Sequence, residues 1–155
     1  MKVFADTNFF TNLWTNLSDS AEADRLWSFA GEAELVVAVT RLVNLEYTNA
    51  LQRLVYESKH GAQALNITSE IAAVARLEMD QALSGGKNLH LAVPDESILD
   101  ATFESLVYRH TATRGFRTAD ILHIASALVL GCDTFWSFDG RAKKLAKLEG
   151  LRVNP

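Results

Sequence analysis

Apolar residues along this chain fall into short continuous runs and longer stretches with helical spacing, and the two kinds alternate. Residues 2–5 read as a short buried strand, and Asp6, Thr7 and Asn8 follow it with helix-capping side chains. Phe9, Phe10, Leu13, Trp14 and Leu17 then recur at the spacing of one helix face. Ser18, Asp19 and Ser20 are expected to cap a second helix that runs to about Ala30 and stops near Gly31. Residues 35–39 are a continuous apolar run, the mark of a strand covered on both faces. Thr40 is expected to cap a long helix to about Lys59, ended by His60 and Gly61. A further helix spans about 68–83 and closes at Ser84, Gly85 and Gly86.

Residues 89–93 form a candidate third strand, and Pro94 suits the first turn of a helix continuing to about Ala112. Thr118 opens a strongly apolar helix to Leu130, which Gly131 ends. Residues 134–138 make a fourth strand, 141–148 a last helix, and 151–153 a possible final strand. Strands alternating with helices predict an α/β layer fold with a central, mainly parallel sheet of four or five strands flanked by helices. No internal repeat or linker divides the 155 residues, which are expected to form a single domain.

Composition changes this picture little. At 48% hydrophobic and 22% charged, the chain matches ordinary globular proteins. The lone Cys132 excludes an internal disulfide framework and any multi-cysteine zinc site. The most apolar stretch, 121–130, is too short to cross a bilayer, and polar residues near the start leave no signal-peptide core, so a cytoplasmic protein is expected. The net charge of −4 comes from 15 basic and 19 acidic residues, and four of those acids stand in unusual places.

Asp6 directly follows the first strand and Asp139 the fourth, where parallel sheets gather their ligand sites; either residue alone can simply cap the next helix. Glu46 projects between Leu42, Val43 and Ala50 on a face that should meet the core. A buried carboxylate there needs a cation or hydrogen bonds, and Arg53 is the ordinary candidate partner. Asp120 opens a helix that is apolar nearly all round, where the helix dipole alone favours an acid. Should the four converge, like charges so close require a counter-charge, and hard oxygen donors select Mg²⁺ or Mn²⁺.

With these residues in view, the chain resembles the PIN-domain ribonucleases. Phe4-Ala5-Asp6-Thr7-Asn8 resembles their opening strand, and Leu45-Glu46 on a long helix their second acidic position. The run Arg117-Thr118-Ala119-Asp120-Ile121-Leu122-His123-Ile124-Ala125-Ser126-Ala127 resembles the third, and Trp136-Ser137-Phe138-Asp139-Gly140-Arg141 the fourth. Ser137 stands where threonine is frequent in that family, which keeps the hydroxyl.

The resemblance implies a single PIN-like domain over residues 1–155 that hydrolyses RNA with metal-activated water, Asp6, Glu46, Asp120 and Asp139 being catalytic and metal-binding. It also implies a toxin of the VapC kind, neutralised by a protein antitoxin and commonly homodimeric. Thr7, Asn8 and Ser137 are candidates for orienting carboxylates or water. Arg109, Arg114 and Arg117 before Asp120, and Arg141 after Asp139, are candidate RNA contacts. His123 reads as a packed, hydrogen-bonded histidine, with a site contact as the alternative. Two rival functions are a catalytically silent RNA- or protein-binding module and a phosphotransfer domain of the receiver or phosphatase type; the latter fits poorly, because Asn8 stands where the phosphatase wants a second aspartate.

Overall fold

The computed structural model describes residues 1–61, 65–85 and 88–154. Five short strands form one sheet: β1 (Val3–Ala5), β2 (Val37–Val39), β3 (Leu89–Leu91), β4 (Thr134–Trp136) and β5 (Arg152–Val153). Their order is β3-β2-β1-β4-β5 and every pairing is parallel. Parallel neighbours require crossovers, and helices supply them. α1 (Thr7–Thr15) and α2 (Ser20–Glu32) join β1 to β2, and α3 (Arg41–His60) and α4 (Ser69–Gly85) join β2 to β3. α5 (Glu96–Leu106), a π-helical turn (Val107–Thr111), α6 (Ala112–Arg114) and α7 (Thr118–Val129) lead to β4, and α8 (Gly140–Leu148) to β5.

The chain therefore steps outward from β1 to β3, then returns to the other side of β1 to add β4 and β5. The reversal puts the topological switch point between β1 and β4, and open parallel sheets bind ligands beyond the strand ends at such a point. This order differs from that of receiver domains, which place β1 between β2 and β3.

β1, β2 and β4 are buried along their whole length, as strands covered on both faces must be. Phe4 and Phe135 are register partners whose rings stack at 5.9 Å on one face. Trp136, on the opposite face, meets Phe9 of α1 at 5.3 Å, and Phe10 of α1 continues the aromatic layer to Trp14. The pairs Phe9–Phe10 and Phe135–Trp136 are thus core. α1 packs on α2, α3 and α4, whereas α7 packs on α5 and α8.

Several boundaries differ from the sequence reading. β2 begins at Val37 and Val36 is exposed; β3 ends at Leu91 and Val93 is largely exposed. β4 ends at Trp136 because side chains take over the next amides: Ser137 N–H donates to Asn154 Oδ1 (2.9 Å) and Phe138 N–H to Asn8 Oδ1 (3.0 Å). Asp19 and Thr40 occupy N-cap positions without side-chain cap bonds, and α2 runs through Gly31. The helix expected to reach Ala112 loses its α register at Leu106 and closes at Gly115, whose left-handed φ of 63° suits glycine. Gly131, at φ 68°, follows α7 in the same way. Gly86, read as part of a helix end, lies outside the described residues.

Candidate active site

Asp6 leaves β1 with extended backbone and becomes the N-cap of α1, its Oδ1 accepting from Phe9 N–H at 3.1 Å. The capping role is real, yet it uses one oxygen of a side chain in a residue only 4% exposed. Burial pushes the Asp6 carboxyl up to about 6, against the pull of His123, a hydrogen bond from Ser137 and the Phe9 amide, while the Asp139 charge adds to the rise. A carboxyl so placed is short of counter-charge.

Ser137 couples the two strand ends. It is fully buried one residue beyond the Ala5–Trp136 register pair, and its side chain hydrogen-bonds Asp6. Its Oγ also accepts from Asp139 N–H at 2.9 Å. Asp139 caps α8, its Oδ1 accepting from Arg141 N–H (2.7 Å) and Ala142 N–H (3.3 Å). Asn8 holds the same turn from α1 by accepting from Phe138 N–H.

Glu46, on the second turn of α3, is half-buried and reaches the same edge. Its Oε2 accepts from Thr7 Oγ1 at 2.9 Å and from His123 Nε2 at 2.6 Å. Burial pushes its pKa up, but the His123 hydrogen bond and charge, with the Thr7 bond, outweigh this and leave it below the ordinary glutamate value. Arg53, the partner considered from the sequence, instead pairs with Glu57 at 3.5 Å.

Asp120 sits in the first turn of α7, where its Oδ2 accepts from Arg117 N–H at 3.3 Å. It lies three residues before His123 and so shares that helix face. Asp6, Ser137 and Asp139 thus form one linked group and Thr7, Glu46 and His123 another, joined by the electrostatic coupling of Asp6 to His123. Asp120 approaches them through α7 alone. Each acid is turned onto donors of the protein itself, and among the described residues no three His, Cys, Asp or Glu side chains stand at metal-ligand spacing. Asp6 and Asp139 nevertheless stand at the switch point with Asp6 in need of positive charge, and carboxylate oxygens are the donors that a hard divalent ion takes.

The four arginines divide. Arg109 donates to both carboxylate oxygens of Glu149 at 2.9 Å, and His110 binds the same group at 2.6 Å. Glu149 caps the far end of α8, about 15 Å along the helix from Asp139. Arg114, Arg117 and Arg141 are exposed, and Arg141 reaches Gly115 O at 3.4 Å, tying the start of α8 to the loop before α7. One side chain of the site, Asn154 just past β5, was not singled out from the sequence, whereas His123, weighed there as packed and hydrogen-bonded with a site contact as the alternative, is both buried and bonded to Glu46. The signal for Asn154 was its place, a polar residue just past a strand like Asp6 and Asp139.

The family model for the PIN domain matches residues 3–148, and the chain belongs to the PIN-domain family. Among solved structures it is similar to the Mycobacterium tuberculosis toxin VapC20, described as cleaving the sarcin-ricin loop. The TM-score is 0.67 at 21% identity, over 99% of this chain and 100% of that one. It is also similar to a chain of VapBC2 from Rickettsia felis bound to a promoter DNA fragment, with TM-score 0.65 and 13% identity over 99% and 98% of the two chains. A chain of FitAcB from Neisseria gonorrhoeae aligns at TM-score 0.59 and 16% identity, over 99% and 96%. No curated protein matches the sequence. At these identities the likeness is one of fold. Among the described residues no helix is long and apolar enough to cross a membrane.

Proposed function

We propose that this chain is a metal-dependent endoribonuclease and the toxin of a toxin–antitoxin pair. The observation that carries the nuclease reading is the Asp6–Ser137–Asp139 group at the switch point of the sheet, with Asp6 buried and raised to about 6. Membership of the PIN-domain family supports it.

In this reading Asp6, Glu46, Asp120 and Asp139 would hold Mg²⁺ or Mn²⁺. When bound, such an ion neutralises phosphate charge and makes water a stronger nucleophile. The protein's own share is orientation. Ser137 and the Phe9 amide fix Asp6, the α8 amides fix Asp139, and Thr7 fixes Glu46. Asn8 holds the turn between β4 and Asp139. Arg114, Arg117 and Arg141 supply positive charge beside two of the acids for the RNA backbone.

The toxin role is supported by the similar structures, of which one is a toxin and others are VapBC and FitAB assemblies. The VapBC and FitAB assemblies support an antitoxin partner for this chain, and a homodimer and a cytoplasmic location complete the proposal. Incubating the purified protein with structured RNAs and Mn²⁺ tests it: metal-dependent cuts that chelator stops are expected. Mn²⁺ uptake without cleavage of any RNA would favour a silent binding module instead.

A further inference from the structure

Both hydrogen bonds to Glu46 land on one oxygen. Thr7 Oγ1 from α1 and His123 Nε2 from α7 reach Oε2, and Oε1 accepts no hydrogen bond among the described residues. An ionised carboxylate only accepts, so the proton of this pair lies on Nε2 of His123. The other ring nitrogen, Nδ1, is buried without a partner among the described residues. Nothing about packing asks for that arrangement. Neighbouring inward positions of α7 are Ile121, Ile124 and Ala125, and an apolar side chain against Phe4 (ring centroids 6.2 Å) would strand no nitrogen. The buried imidazole is therefore kept for its bond to Glu46, a charge-assisted contact at 2.6 Å.

We infer that His123 is the positioning residue for Glu46: with Thr7 it binds Oε2, stops the side chain from swinging, and leaves Oε1 as the single oxygen Glu46 offers to a cation. A glutamate on a helix otherwise samples several rotamers, and donors from two other elements remove that freedom. α7 thereby serves the site twice within one turn, through Asp120 and through the ring that aims Glu46. The geometry stands by itself, whereas the cation it serves rests on the nuclease reading above.

The test is calorimetric Mn²⁺ titration of the full chain, with cleavage rates beside it. His123→Gln places an amide N–H near the position of Nε2, while His123→Asn is polar and buried alike but too short to reach Oε2. Expected are Mn²⁺ affinity within about threefold of wild type for His123→Gln and a loss of about tenfold or more for His123→Asn. Thr7→Val, which leaves the histidine packing untouched, should weaken binding in the same direction. In a Glu46→Gln background, His123→Asn should add nothing. Should neither histidine variant fold, Thr7→Val decides: unchanged affinity there overturns the inference. Wild-type affinity in His123→Asn, with a loss in Glu46→Gln, overturns the positioning role and leaves the metal site standing. No Mn²⁺ uptake by the wild type overturns the metal reading and this inference with it.

Discussion

Ser137, fully buried at the end of β4, hydrogen-bonds the carboxylate of Asp6 at the end of β1. The same hydroxyl oxygen accepts the Asp139 amide at 2.9 Å, so one small side chain sets the direction of one acid and the backbone of another. Ser137→Ala should leave both partners short of a bond in a dry place, costing about 1–3 kcal/mol of stability. It should also lower kcat more than it raises KM, because it misdirects acids without touching the arginines proposed to hold RNA. Ser137→Thr keeps the hydroxyl and should retain most activity. Urea unfolding and steady-state cleavage of these two variants check the expectation.

The raised pKa of Asp6 has a consequence for stability. The ordinary value is 3.8 and the folded value about 6, so between those pH values the folded chain holds a proton that the unfolded chain has lost. Stability from this group therefore falls as pH rises through that window, and the penalty is absent below pH 4 and complete above pH 6. Its size is about 3 kcal/mol. In chelator, Asp6→Asn should be more stable than wild type at pH 7 by an amount of that order, the advantage vanishing near pH 4. Urea denaturation at the two pH values measures it, and equal stability at pH 7 would show that Asp6 is not held by burial.

Much of this arrangement was legible in the sequence, for identifiable reasons. Continuous apolar runs marked β1, β2 and β4, since strands buried on both faces have no polar side to show. Asp6 and Asp139 stood out because acids directly after such runs occupy the ligand-binding edge of a parallel sheet. The sheet order, and with it the switch point, was not legible, because pairing depends on contacts far apart in the chain. The partner of Glu46 was hidden for the same reason: Arg53 is nearby in sequence, but His123 lies 77 residues away. The end of β4 was set by the side chains of Asn8 and Asn154, which no local pattern announces.

Of the four arginines first considered for RNA, Arg109 is committed to Glu149 at the far end of α8. Arg109→Ala should leave KM for RNA unchanged and lower stability by about 1–3 kcal/mol, because the largely buried Glu149 carboxylate loses both of the hydrogen bonds that Arg109 donates. Arg117→Ala and Arg141→Ala should each raise KM and shrink the salt dependence of binding by about one phosphate contact. Binding isotherms at several salt concentrations separate the two behaviours, and a reduced salt slope for Arg109→Ala would place RNA at the other end of α8.

The most direct measurement of the central claim is cleavage of a mixed pool of structured RNAs with Mg²⁺ or Mn²⁺, comparing wild type with Asp6→Asn and Asp120→Asn. The account predicts metal-dependent cuts by the wild type that vanish in chelator and in both variants, although the two acids sit on different elements. Cleavage that persists unchanged in both variants would contradict it and remove these carboxylates from the chemistry.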